Sequence, residues 1–70
     1  MMPLGLCPIG EESVILRING KPEVKKHLEN LGFVAGGKVK IISQTNGNLI
    51  VSVKEARIAI SREMAQKIFV

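Results

Sequence analysis

Between a stretch that reads as helix and one that reads as strand stand Phe33-Val34-Ala35-Gly36-Gly37, five residues with no charge and no side-chain hydrogen-bonding group. Connectors normally run over the surface, where polar residues are easily accommodated. An apolar connector loses by staying in water, so this one should fold beneath the helix it follows. Upstream, Val24, Leu28 and Leu31 recur at i, i+4 and i+7, a narrow apolar stripe at helical spacing. Pro22 suits the first helical turn, where its missing N–H costs nothing. Glu23 beside it favours the positive end of the helix. Gly32 is placed to take the left-handed conformation after the last helical residue, and the apolar residue that follows such a glycine commonly packs back onto the final turn. Phe33 holds that place, so the spacing predicts a helix stopped at Gly32 and a core plugged by Phe33. Gly36-Gly37 then gives the backbone a turn that needs positive φ.

The remainder of the chain alternates. Ser13 to Ile18 reads as one strand with Val14, Leu16 and Ile18 on a single face. Lys38 to Gln44 turns Val39 and Ile41 inward and Lys38 and Lys40 outward. Asn46-Gly47 is the strongest short-range hairpin signal in the sequence. Leu49, Val51 and Val53 then point in, with Ile50 and Ser52 on the other side. Lys54-Glu55-Ala56 is a weaker turn before a strand over Arg57 to Ile60. Ser61 makes a good N-cap, with Glu63 in the first turn and Met64 and Ala65 facing inward. Ile68-Phe69-Val70 closes the chain as a strand. The order predicts a mainly β fold in one domain over residues 1–70: a small SH3-like barrel with one α-helix inserted after the first strand and a short helical turn before the last. Closing five short strands into a barrel leaves few free edges.

Composition decides what such a domain can do. A chain of 70 residues buries only about 60% of its unfolded surface. A single cysteine allows no internal disulfide and no four-cysteine zinc cage. Packing must stabilise the fold, and 46% hydrophobic residues with a mean hydropathy of +0.23 supply it. Two phenylalanines with no Trp or Tyr argue against grooves for proline-rich peptides and against stacking platforms for single-stranded nucleic acid. Met1 to Gly10 has prolines and no basic start, so it does not read as a signal peptide. No run approaches the length needed to span a bilayer. The expected setting is the cytoplasm, which suits a lone thiol. The net charge of +4 is spread along the chain, with no basic block.

Catalytic parts are missing. There is no Asp, one His and one Cys, and no carboxylate pair on an apolar face. Cys7 and His27 as nucleophile and base lack a third group to orient the imidazole. As metal ligands, His27, Cys7 and Glu11 or Glu12 are the candidates, against the three or four convergent donors that a stable site needs. His27 reads as a surface residue on the flank of the helix stripe and Cys7 as a small buried hydrophobe. The expected catalytic and metal residues are therefore none, and no cofactor is evident.

The segment His27 to Ile42, HLENLGFVAGGKVKII, resembles the signature of the FeoA family, the small accessory proteins of bacterial ferrous iron transport. Leu49 to Val70, LIVSVKEARIAISREMAQKIFV, is similar to the family's closing segment, and the likeness runs from about Leu6 to Val70. Ala35 stands where proline is common, His27 where a basic residue is usual, and Glu55 where a hairpin often holds glycine. The resemblance implies a module that works on the membrane transporter FeoB, a GTPase-linked permease, at the inner face of the cell membrane. It also implies a fold like a domain of iron-dependent repressors. Iron or another transition metal enters through the family alone, without a ligand set on this sequence. A second reading exists, because Gly37-Lys38-Val39-Lys40-Ile41 also looks like the basic strand of ribosome-associated SH3-like domains. Scarce aromatics and dispersed charge disfavour nucleic acid as the partner. Alternation leaves Ile42 and Ile50 outward on neighbouring strands, beside Lys38 and Lys40. These four residues are the expected partner-binding face, suited to an acidic protein surface or to weak pairing with a second copy.

Overall fold

In a computed structural model that describes residues 1–70, the chain forms six strands and two α-helices after a 3-10 helix at Leu4–Leu6. β1 (Glu12–Val14) and β2 (Arg17–Ile18) precede α1 (Pro22–Asn30). β3 (Lys38–Thr45), β4 (Asn48–Val53) and β5 (Ala56–Ser61) make the meander, followed by α2 (Arg62–Ala65) and β6 (Ile68–Phe69). One sheet has the order β1-β3-β4-β5 and the other pairs β2 with β6, all antiparallel. Phe33, Leu28, Ile41, Val51, Ala65 and Ile68 are wholly buried between them, and no polar or charged residue is buried.

The apolar connector is accounted for by α1. Gly32 has φ 109°. Its N–H donates to the Glu29 carbonyl at 2.9 Å, and the Phe33 N–H donates to the Leu28 carbonyl at 2.9 Å. These two bonds are the paired closure of a Schellman motif, which satisfies carbonyls the helix end would otherwise leave bare. They also aim Phe33 under the helix, where its ring is fully buried beside Leu28.

The first strand departs from expectation. Ser13 to Ile18 is not one strand, and Val14 and Leu16 are not core: they are 47% and 56% exposed, while Ile15 is buried. Hydrogen bonds explain the reversal. The Ile15 N–H donates to Gly37 at 2.8 Å and its carbonyl accepts from Gly36 at 2.7 Å. One residue later, the Leu16 N–H donates to Phe69 at 2.7 Å. The chain crosses from one sheet to the other within two residues, and the period-two alternation restarts with Ile15 inward. The N-terminal 3-10 helix, which buries Leu4, carried no periodic signal in its three residues.

Both expected hairpins form, and they differ in turn conformation. At Asn46-Gly47 only Gly47 has positive φ, 83°. At the turn read as weaker, Lys54 and Glu55 both do, at 49° and 64°, and Val53 pairs directly with Ala56. That is a type I′ loop built from two residues with a Cβ, a conformation in which glycine is favoured. Glu55→Gly is therefore expected to raise stability by about 0.5–1 kcal/mol, moving the melting temperature up by roughly 2–8 °C. A thermal melt at or below wild type would show that the glutamate is not strained there.

Candidate docking surface

Directly opposed residues in an antiparallel ladder share a face. The register puts Glu12, Lys40, Ser52 and Arg57 in one row across all four strands. Val14 lies opposite Lys38 in the next row, and Ser43, Ile50 and Ala59 line up on the other side. These residues form the outer face of the sheet, since Val39, Ile41, Val51 and Val53 between them are buried. Between Ile41 and Ser43 the register with β4 shifts, so Ile42 is the extra residue of a β-bulge. A bulge lets two successive residues oppose one on the partner strand, which sets Ile42 and Ser43 together beside Ile50.

The four expected contact residues are thus brought onto one face. Lys38 is exposed, while Lys40, Ile42 and Ile50 are half-buried. Two members were missed. Arg57 stands in the same row as Lys40, and extending the alternation through the last strand of the meander would have found it. Val14 lies opposite Lys38, and only the sheet crossing at Ile15 could have shown that. The face is basic. Its single ion pair, Lys38 Nζ to Glu12 Oε1 at 3.9 Å, joins two side chains that are largely in water. Such a pair contributes little to stability.

The donor set for a resident metal ion does not assemble. His27 is exposed on α1 and Cys7 is buried at the end of the 3-10 helix. No three His, Cys, Asp or Glu side chains converge anywhere. One open cleft, lined by Pro3, Gly5, Leu6, Arg62 and Gln66, separates the 3-10 helix from α2. No helix is long and apolar enough to cross a membrane.

The sequence matches the FeoA domain family over almost the entire chain, residues 2–70. The chain belongs to the FeoA family. A relative from Methanocaldococcus jannaschii, named for Fe(2+) transport, is 37% identical over all 70 residues and 85% of its own length. The zinc-complexed FeoA of Stenotrophomonas maltophilia, described as a prokaryotic SH3 domain protein, superposes with a TM-score of 0.86 at 24% identity, covering 100% of this chain and 89% of that one. A manganese-dependent transcriptional repressor superposes with a TM-score of 0.88 at 20% identity over 97% of this chain and 39% of its own. At these identities the structural likenesses establish the fold, which is SH3-like. The family places this FeoA chain among the accessory proteins of ferrous iron transport.

Proposed function

We propose that this FeoA chain is a non-enzymatic docking module for FeoB, the GTPase-linked ferrous iron transporter, and that it acts from the cytoplasmic side of the membrane. The observation that carries this reading is the outer sheet face, where Lys40 and Arg57, with Lys38 beyond them, flank the half-buried Ile42 and Ile50. Aliphatic groups beside a mainly basic row suit a protein contact: the apolar centre supplies affinity, and the cations steer an acidic partner surface into place. The scattered ligand types support docking through the protein surface rather than through a metal held by this chain.

Binding of the purified chain to the cytosolic part of FeoB tests the reading. Ile42→Glu and Ile50→Glu should each keep the wild-type circular dichroism and weaken binding about tenfold or more, because a carboxylate is forced into an apolar contact. Wild-type binding should survive a chelator, and it should weaken with added salt as the cations are screened. Two folded variants that bind like wild type would move the contact elsewhere, most directly to the α1 flank at Lys26 and His27.

A further inference from the structure

The four-stranded sheet ends on β5, and its outer edge is open. β5 pairs with β4 from Asn48–Ser61 through Val53–Ala56 without a break, and with no other strand. The I′ turn makes Val53 and Ala56 the hydrogen-bonded closing pair, and such pairs alternate along a hairpin. Ala56, Ile58 and Ile60 therefore bond to β4, while the N–H and C=O of Arg57 and Ala59 point away from the sheet. Both residues are exposed. Proteins usually blunt such an edge with proline, a bulge, short length or several charges. The opposite edge follows that rule, since β1 has three residues and begins on Glu12. β5 has six residues, no proline, an unshifted register and one charge, Arg57.

The charges around the open edge indicate its occupant. Lys54 precedes β5, Arg57 lies within it and Arg62 follows it. None of these cations is in an ion pair. Glu55 and Glu63 are the nearby acidic residues in sequence. A second copy would bring a chain of net charge +4 against the same cations, whereas an acidic strand would be drawn to them. We propose that an extended acidic segment of the partner adds to β5 as a fifth strand. Its backbone bonds to Arg57 and Ala59, and its carboxylates lie beside Arg57. Main-chain bonds to a sheet edge supply affinity and alternate side chains supply specificity. This inference rests on the docking reading above and names the contact that performs it.

Amide hydrogen exchange on isotope-labelled chain, alone and with the cytosolic part of FeoB, tests the proposal. The Arg57 and Ala59 amides should exchange freely in the chain alone and slow about tenfold or more in the complex. Ala59→Pro removes an N–H that β4 does not use, and an edge strand tolerates proline there. That variant should fold normally and bind about tenfold or more weakly, as should Arg57→Glu. If the complex forms while both amides still exchange freely, the edge proposal is overturned and the docking reading stands. If the wild-type chain does not bind at all, both fall. Concentration-dependent protection of these amides in the chain alone would place a second copy on β5 and overturn the acidic occupant. Should Ala59→Pro unfold, the wild-type exchange data decide the question unaided.

Discussion

Phe33→Ala should destabilise this domain by about 3–5 kcal/mol, the range for truncating a large aromatic side chain in a well-packed core. Phe33 is the largest fully buried side chain, and it contacts a cluster drawn from both sheets, α1 and α2. Removing the ring takes away its transfer energy and leaves a cavity that close-packed neighbours only partly fill. The domain is small, and total stabilities of such chains are about 5–15 kcal/mol. One side chain therefore carries a large fraction of the total. The expected fall in melting temperature is roughly 12 °C or more. A urea titration should show a lower midpoint with an unchanged slope. A variant that melts within a degree or two of wild type would show that the connector does not close the core.

Gly32→Val is expected to cost about 2–3 kcal/mol by a different route. The added Cβ would have room, since its nearest neighbours are the Lys54 Cδ at 3.5 Å and the Val53 methyls at 3.7 Å. The cost comes from the backbone. Gly32 sits at φ 109°, where a side chain is strained, and a β-branched one most of all. Relaxing that angle would pull the Gly32 and Phe33 N–H groups off the Glu29 and Leu28 carbonyls, so the helix end and the plug weaken together. The measurement is a melt combined with exchange of the Phe33 amide. A variant with wild-type stability and an equally protected amide would rule out the proposed cap.

Both predictions concern a device that could be read directly from the chain. The stripe Val24, Leu28, Leu31, the stop at Gly32 and the apolar residue after it are related within one or two helical turns. Capping chemistry is local, so the residues that decide it are neighbours in sequence. The same holds for the alternation of β3 and β4 and for Ser61, whose hydroxyl accepts from the Met64 N–H at 3.1 Å. The outer sheet face was legible for the same reason. Lys38, Lys40, Ile42 and Ile50 follow from alternation, whereas the bulge that sets Ser43 rather than Ile42 opposite Ile50 does not show in the pattern.

Legible in the sequence alone were α1 and its stop, the meander of β3 to β5, the Ser61-capped turn, the order of these elements and the SH3-like class. The tertiary structure decided which way Ile15 faces. Its backbone partners at Gly36 and Gly37, and those of Leu16 at Phe69, arrive from distant parts of the chain. It also decided that β5 is left with an open edge, because an edge is defined by the strand that does not come. Local preferences act through neighbours a few bonds away. Sheet switching, bulges and free edges depend on long-range pairing, and a one-residue change in register exchanges the buried face for the exposed one.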